Sequence, residues 1–275
     1  AARALAQRGA EVVLAEAGGE WGGRVTRESR LPGLAAWARV RDWRLGQLRQ
    51  RPDVQMYLES RLTATDILDY GIPHVALATG ATWRADGAGR EHRMPLPFLA
   101  GKPVLTPDDL MTRGAGAITA PGPVVIFDDD RFYLASVLAE LAAGAGHETI
   151  FVTPAPIVAP WSENTLEQER IQKRLIELGV GIVPLHGLAG LTEDRLQVAC
   201  VYSGRTQEIE CGTLVAITSR LPNDGLWEDL AARRDEWEDA GVRSVTRIGD
   251  CLAPGLIAAA CYSGHEFARS AGVYS

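Results

Sequence analysis

Apolar and polar positions follow a helix-then-strand order at the start of the chain. Residues 1–10 (AARALAQRGA) carry an apolar stripe at helical spacing, and residues 11–16 (EVVLAE) predict a strand that ends at Glu16. Gly9 lies where the end of a helix favours a positive φ. In a dinucleotide-binding unit this order follows a first strand and its glycine-rich phosphate loop, and the acid hydrogen-bonds the ribose hydroxyls. We therefore expect that this strand and loop are missing and that the sequence is part of a longer polypeptide.

A glycine-dense segment follows Glu16. Gly22 and Gly23 lie within residues 17–25 (AGGEWGGRV), where the lack of side chains would let a ligand approach the backbone closely. An acid at the end of a strand is also common on protein surfaces, and a glycine-rich segment is also typical of a flexible loop. These alternatives stay open, although the two features together favour a nucleotide site.

The alternation of helices and strands continues through the first third of the chain. The pattern predicts a helix over 34–50, a strand over 54–58, a helix capped by Thr63 and a strand over 74–78. This last strand runs into Thr79 and Gly80, and a glycine after a strand marks a crossing over bound nucleotide in this fold class. Residues 82–102 are rich in glycine, proline and charge, which predicts a domain junction before a new helix capped by Thr106.

A second strand-turn-helix-strand unit begins near residue 124. Residues 124–127 (VVIF) predict a buried strand, residues 133–143 a helix and residues 149–152 the next strand. The turn, residues 128–132 (DDDRF), contains no glycine. Its side chains prevent close approach to the backbone, and three carboxylates repel a pyrophosphate. We therefore expect the architecture of a dinucleotide site without its chemistry, and no binding of NADH or NADPH.

The last part of the chain ends on a strand, a glycine and an acid. The pattern predicts a helix over 166–178, a strand over 181–185, a hairpin over 196–211, strands over 214–218 and 245–248, and a closing helix over 251–268. Gly249 and Asp250 precede this helix. Asp250 is either a simple N-cap of the helix or an acid that faces a ribose or ribityl chain.

Composition and charge exclude several classes of protein. The 275 residues are 46% hydrophobic and 23% charged, which is typical of a globular protein. The net charge of −7 disfavours nucleic acid as the main partner. No apolar run approaches the roughly 20 residues that span a bilayer. We therefore expect a cytoplasmic protein without a membrane partner.

The four cysteines indicate neither a metal site nor a secreted disulfide scaffold. Cys200, Cys211, Cys251 and Cys261 have no CxxC pairing and no histidines at ligand spacing, so we predict no metal site. Cys200 and Cys211 lie on the predicted hairpin, where a cross-strand disulfide is conceivable. Buried free thiols are the favoured interpretation because no secretion signal is visible.

Several segments together resemble one known family. They are AARALAQRGAEVVLAEAGGEWGGRV, LPGLAAWARVRDWR, ALATGATW, PVVIFDDDRFYLASVLAELA and RIGDCLAPGLIAAACYSGHEFAR. They resemble the C-terminal half of trimethylamine dehydrogenase and its relatives, the dimethylamine and histamine dehydrogenases and, more distantly, 2,4-dienoyl-CoA reductase. The resemblance covers nearly the whole chain, and the aspartate-bearing second turn is its most specific part.

The resemblance implies an α/β fold with two Rossmann-like, three-layer domains of the glutathione-reductase FAD and NAD(P) type, the first without its N-terminal strand and glycine loop. The implied division is an FAD- or ADP-binding-like domain over 1–105, a degenerate NAD(P)-binding-like domain over 106–215, and a return to the first domain over 216–275. The implied cofactor-binding residues are Glu16, Gly22, Gly23, Trp43, Arg44, Ala78, Thr79, Gly80, Gly249 and Asp250.

For the whole protein, the resemblance implies an oxidoreductase that acts on amines. It would carry FMN and a 4Fe-4S cluster in a missing N-terminal barrel and ADP or FAD in this part of the chain. Electrons would pass to an electron-transferring flavoprotein, for which exposed Trp161 is a docking candidate or else a packed loop anchor. We expect a homo-oligomeric parent and no catalytic residue in this sequence. A dienoyl-CoA-type NAD(P)H reductase and a non-catalytic nucleotide-binding adaptor are the alternatives.

Overall fold

A computed structural model describes residues 1–271 of the chain. Its elements are, in chain order, α1 (Ala2–Gln7), β1 (Val12–Ala15), α2 (Arg24–Glu28), α3 (Ala38–Leu48), β2 (Val54–Tyr57), α4 (Ala64–Tyr70), β3 (His74–Leu77), β4 (Ala81–Trp83), β5 (Val104–Leu105), α5 (Pro107–Arg113), β6 (Val124–Asp128), α6 (Leu134–Gly144), β7 (Thr149–Thr153), α7 (Gln168–Glu177), β8 (Gly181–Pro184), β9 (His186–Leu191), β10 (Arg195–Cys200), β11 (Thr206–Glu210), β12 (Thr213–Ile217), β13 (Arg220–Pro222), α8 (Gly225–Ala232), β14 (Ser244–Arg247) and α9 (Ile257–Ser270). Within these residues every helix is too short or too polar to span a lipid bilayer.

The chain divides into two compact units. Unit 1 contains residues 1–29, 36–82 and 221–275, and unit 2 contains residues 30–35 and 83–220. The chain therefore passes between the units at 82–83, within β4, and at 220–221, within β13. These two strands pair with each other in a two-stranded sheet.

Unit 1 is built on short parallel strands. β1 pairs in parallel with β2, and β3 pairs in parallel with β14. Its core lies beside β3 and β14, where the buried side chains of α4 meet those of α8 and of the segment before β14. The core residues are Ala64, Ile67, Leu68, Leu77, Leu230, Trp237, Val242, Val245 and Cys251. The Trp237 indole N–H donates to the Leu230 carbonyl oxygen at 3.0 Å, so its polar atom is satisfied inside this apolar core.

Unit 2 contains a five-stranded, fully parallel sheet in the order β5-β12-β6-β7-β8. β6 and β12 are buried at every position, which explains their continuous apolar runs, because a parallel sheet is covered on both faces. A separate antiparallel sheet in the order β11-β10-β9 precedes β12. The chain therefore has the mixed α/β fold with a parallel sheet that the sequence predicts.

Local capping signals in the sequence are confirmed. Thr63 and Asp66 form a reciprocal capping box at the start of α4, and Gly71 ends that helix with φ +68°. Thr106 and Asp109 form a second capping box at the start of α5. These contacts involve residues three positions apart, so the sequence alone was sufficient to predict them.

One sequence prediction about an element is wrong, and several short elements were not predicted. The closing helix begins at Ile257, not at residue 251, because residues 249–251 form a separate turn and Pro254 lies before the helix. Residues 17–23 form the glycine-dense turn that the sequence predicts, and the short helix α2 begins directly after it at Arg24. β4, β5, β9, β13, α2 and α8 were not predicted from the sequence, because each is short and offers few positions in which an apolar period can be recognised.

The cysteines are free thiols. The predicted hairpin is confirmed as β10 and β11, but Cys200 lies opposite His186 of β9 and does not pair with Cys211. The disulfide alternative is therefore wrong, and all four cysteines are free thiols. The prediction that they are buried is confirmed for Cys211 and Cys251 but is wrong for Cys200 and Cys261, which are partly exposed.

Candidate functional site

Glu16 follows β1 directly, at the carboxyl end of the strand. Its side-chain Oε1 accepts the backbone N–H of Gly18 at 2.8 Å, so a turn in its own segment fixes the carboxylate. A Cβ at Gly18 would lie 3.4 Å from the same oxygen. The backbone of Glu16 also pairs with the end of β2 and the residues after it. Its N–H donates to Tyr57 O and its carbonyl oxygen accepts from Ser60 N, both at 2.9 Å.

The Gly22-Gly23 turn is a tight bend that only glycine fits. Gly22 has φ +106°, and a Cβ there would overlap Thr26 Oγ1 and lie 2.7 Å from Arg41 Cδ. Gly23, with φ +52°, is the N-cap residue of α2. The Thr26 hydroxyl donates to Trp21 O at 2.7 Å and closes the turn over the helix start. The two glycines thus bring the chain back sharply after β1 and place α2 beside α3.

Arg24, at the first position of α2, connects this turn to the closing motif. Its Nη1 lies 3.3 Å from Asp250 Oδ2, its Nε lies 3.2 Å from Glu28 Oε1, and its Nη2 donates to Gly255 O at 2.9 Å. Glu28 is 1% exposed. One guanidinium therefore balances two carboxylates, one of them fully buried.

The closing motif is held by its own loop. Gly249 has φ +61°, and its N–H donates to Ser263 Oγ at 3.1 Å. Asp250 Oδ1 accepts the Gly255 N–H at 3.0 Å. Asp250 does not cap α9, whose N-cap residue is Leu256, so the simple capping interpretation of this acid is wrong.

The crossing segment after β3 contacts this motif. The Thr79 hydroxyl lies 3.0 Å from Cys251 Sγ and donates to Asn223 O at 2.5 Å. The Asn223 side chain donates back to Thr79 O at 3.1 Å, and its backbone N–H donates to Gly80 O at 2.9 Å. Ala78 lies directly before these hydrogen-bonded residues in the chain and is exposed. Asn223 was not found from the sequence, which contains no local signal for a contact 144 positions away.

Trp43 and Arg44 lie on α3. Trp43 is 53% exposed, and the Arg3 guanidinium lies 4.8 Å from its ring centroid. The guanidinium of Arg44 lies 5.8 Å from the same ring and donates to Cys261 Sγ of α9 at 3.2 Å. This arrangement places two guanidinium groups near one aromatic ring at the surface of unit 1.

Direct contacts therefore join some of the predicted site residues and not others. Arg24 joins the Gly22-Gly23 turn to Asp250, and Cys251 joins Asp250 to Thr79. The Glu16 side chain contacts its own turn, while Trp43 and Arg44 contact α1 and α9. Arg24 was missed by the sequence analysis, although its position four residues before Glu28 on a helix is the spacing of an ion pair.

The second turn differs from the first because its polar groups are buried. Asp128 and Asp129 are both fully buried, and Asp128 Oδ1 accepts the Arg131 N–H at 2.8 Å. Burial holds the pKa of the Asp128 carboxyl well above its usual value. Arg131 has φ +67°, an unusual conformation for a residue with a side chain. Beside it, Phe132 stacks on Trp161 with ring centroids 5.9 Å apart.

Comparison with known proteins identifies homologues. Residues 105–216 match the family described as the OYE-like second alpha/beta domain. The chain is 34% identical to dimethylamine dehydrogenase from Hyphomicrobium sp. (strain x), over 98% of this chain and 39% of that protein.

Two solved structures are similar over almost the whole chain. Histamine dehydrogenase from Rhizobium sp. 4-9 is 45% identical with a TM-score of 0.95, over 98% of this chain and 42% of that chain. The 6-hydroxypseudooxynicotine amine oxidase from Pseudomonas geniculata N1 is 42% identical with a TM-score of 0.94, over 99% of this chain and 40% of that chain.

These matches confirm the resemblance at the level of homology. The chain is homologous to dimethylamine and histamine dehydrogenases, and it spans about two fifths of the length of the relatives that it matches. The relatives are oxidoreductases that act on amines.

Proposed function

We propose that this chain is the nucleotide-binding part of an FMN and iron-sulfur amine dehydrogenase. The observation that carries the proposal is the 45% identity to histamine dehydrogenase over 98% of the chain, with a TM-score of 0.95. The two units then correspond to Rossmann-like domains of the glutathione-reductase type. Unit 1 holds ADP or FAD, and unit 2 has the degenerate NAD(P) architecture.

The residues of unit 1 fit an adenine nucleotide. Glu16 stands at the carboxyl end of a parallel strand, where an acid receives ribose hydroxyls. Its Oε1 is fixed by Gly18, and its second oxygen supplies further acceptor positions for a diol. Gly18 and Gly19 leave the turn beside the carboxylate free of side chains, so a ribose can lie against the backbone.

The linked group of Arg24, Asp250 and Thr79 is the second half of the proposed site. Arg24 offsets part of the negative charge of Asp250, which lessens the repulsion that a nearby phosphate would meet. Thr79 and Gly80, after β3, and Gly249, after β14, lie near this ion pair. We propose that these residues contact the part of the nucleotide beyond the ribose.

The redox chemistry belongs to the other part of the whole protein. FMN and a 4Fe-4S cluster, held outside this chain, would oxidise the amine and accept its electrons. This chain supplies no catalytic residue to that step. Its proposed role is to hold the nucleotide, to support assembly of a homo-oligomer and to contact the protein that accepts the electrons.

A protein carrier is the proposed electron outlet. The acidic and buried turn of unit 2 leaves no glycine loop for the pyrophosphate of NADH or NADPH. An electron-transferring flavoprotein satisfies the need for an acceptor. Trp161, 46% exposed and stacked on Phe132, gives unit 2 an aromatic surface that such a carrier could contact.

The test begins with the intact protein purified without added nucleotide. After denaturation, chromatography of the released small molecules should detect one ADP or FAD per protomer. Glu16→Gln should lose at least about ten-fold in nucleotide affinity because a charged acceptor of ribose hydroxyls becomes neutral. Glu11→Gln is the matched control. This exposed acid lies directly before β1, at the end of the strand opposite to Glu16, and its substitution should have no effect on nucleotide affinity.

Three results would contradict the proposal. Neither ADP nor FAD in the extract would remove the nucleotide function. Rapid reduction of the flavin by NADH or NADPH in stopped-flow measurements would instead place the whole protein with the NAD(P)H-dependent reductases. A protein with bound nucleotide but no amine-dependent reduction of an artificial acceptor would be the non-catalytic adaptor.

A further inference from the structure

The carboxyl ends of β6 and β12 form the position where a parallel sheet of this kind binds a nucleotide. β6 has the next strand in the chain, β7, on one side and the much later β12 on the other. The strand order reverses at this point, and ligands of open α/β sheets bind in the crevice beside such a reversal. In unit 2, residues Asp129 and Asp130 occupy the reversal, since both of their N–H groups donate to Ile217 O at the end of β12.

The Asp129 carboxylate has backbone donors from a distant segment. Its Oδ2 accepts the N–H of Arg90 at 2.5 Å and the N–H of Glu91 at 2.8 Å. Two successive backbone N–H groups that converge on one oxygen form the arrangement by which loops bind phosphate and other anions. Asp129 is fully buried, so this anion is sealed inside the protein.

The segment of residues 88–92, here called the clamp segment, lies across the ends of both strands. The Ser219 hydroxyl, just after β12, donates to Ala88 O at 2.6 Å. The Gly89 N–H donates to His92 O at 2.7 Å and closes the segment on itself. A Cβ at Gly89 would overlap Asp129 Oδ2 and lie 3.2 Å from Thr218 Cβ, so the close approach requires glycine.

Charges around the carboxylate support the same arrangement. Arg131 Nη2 lies 3.5 Å from Asp129 Oδ1 and 3.5 Å from Glu91 Oε2, so it links the turn to the clamp segment. Burial raises the pKa of Asp129, and the two N–H donors and Arg131 act in the opposite direction. The carboxylate thus has the partners of a bound anion.

We propose that Asp129 is a built-in anion that closes the nucleotide crevice of unit 2. Its carboxylate occupies the N–H pair of Arg90 and Glu91 as a bound phosphate would. By this contact it holds the clamp segment across the end of the sheet where a dinucleotide would lie. The proposal concerns unit 2 alone and does not depend on the nucleotide proposed for unit 1.

Two variants should each disrupt the contact between the clamp segment and Asp129, one by changing Asp129 and the other by changing the clamp segment. Asp129→Ala removes the anion, and Gly89→Ala keeps the anion but places a methyl group against it. In the intact protein, cleavage by trypsin after Arg90 and Arg93, identified by mass, reports the opening of the segment. We expect cleavage at these two sites to be at least about ten-fold faster in both variants, since charge-assisted hydrogen bonds are lost.

Chemical rescue separates an anion role from a general structural one. Formate, added as the probe, should slow the cleavage of Asp129→Ala back towards the wild-type rate because it can occupy the vacated N–H pair. It should not slow the cleavage of Gly89→Ala, in which the carboxylate is still present. Inorganic phosphate should act like formate if the N–H pair has the character of a phosphate site.

The control is Asp109→Asn, which makes an acid-to-amide change in unit 2 at the capping box of α5. It should leave cleavage after Arg90 and Arg93 unchanged. Equal cleavage rates in the wild type and both variants, or cleavage of Asp129→Ala that neither anion slows, would overturn the proposal. If Asp129→Ala does not fold, the Gly89→Ala rate alone decides. Unchanged cleavage in that variant would show that Asp129 does not hold the clamp segment in place.

Discussion

The Arg24 guanidinium lies 3.3 Å from the Asp250 carboxylate, although 226 positions separate the two residues in the chain. This ion pair joins the glycine turn after β1 to the turn that follows β14 in unit 1. The same guanidinium contacts the buried Glu28, so one side chain supports both the fold and the proposed nucleotide site.

Arg24→Gln should destabilise the protein strongly. Loss of the cation removes an ion-pair partner from both Asp250 and the buried Glu28, and breaking such a buried pair costs on the order of 3 kcal/mol. Urea unfolding of both proteins measures the difference. Arg113→Gln is the control, because its ion pair with Asp109 is exposed and should contribute less than about 1 kcal/mol. A loss in Arg24→Gln no larger than in this control would contradict the assigned role.

Asp128→Asn should stabilise the protein at neutral pH. Because burial raises the folded-state pKa of Asp128 above its ordinary value of 3.8, the folded protein binds an extra proton between these two values, and stability falls as the pH rises through that window. The amide avoids the charge and can still accept from Arg131. We expect a gain in the free energy of unfolding at pH 7 that shrinks towards pH 4. A constant difference between the two proteins from pH 4 to pH 8 would show that Asp128 does not titrate as described.

Gly22→Ala should be among the most damaging small substitutions in unit 1. The added methyl group overlaps Thr26 Oγ1, and the backbone has a φ of +106° that other residues avoid. We expect a loss of about 2 kcal/mol or more in thermal or chemical unfolding. Gly46→Ala is the matched control, since Gly46 lies within α3 with open space around it and should stabilise by about 0.5–1 kcal/mol. The prediction fails if both alanines have the same effect.

Cys200 should be the more reactive of the two cysteines beside the hairpin. Hydrogen bonds from Ser203 and Tyr202 lower its pKa to about 7, whereas burial raises the pKa of Cys211 to about 12. The thiolate is the reactive form, so iodoacetamide at pH 7 should alkylate Cys200 first, as read by mass mapping. Ser203→Ala should raise the pKa of Cys200 and slow this reaction. Faster labelling of Cys211, or no effect of Ser203→Ala, would contradict the assignment.

The sequence by itself determined the local features. Capping boxes at Thr63 and Thr106, buried strands such as residues 124–127 and the hairpin around Ser203-Gly204 depend on residues only a few positions apart. Apolar periodicity and cap chemistry therefore predicted them correctly. The resemblance to amine dehydrogenases was also present in the sequence, and the homology confirms it. The nucleotide and the electron acceptor stay proposals.

Tertiary structure decided the contacts over long separations. Three contacts depend on which strands become neighbours. They are the ion pair of Arg24 with Asp250, the hydrogen bonds between Asn223 and Thr79, and the hydrogen bond from the Arg90 N–H to Asp129. The sequence predicted that the second turn lacks nucleotide chemistry because its acids repel phosphate. Only the fold supplied a second reason why this turn would not bind a phosphate. The buried carboxylate of Asp129 accepts the backbone N–H groups of Arg90 and Glu91, which a bound phosphate would otherwise use.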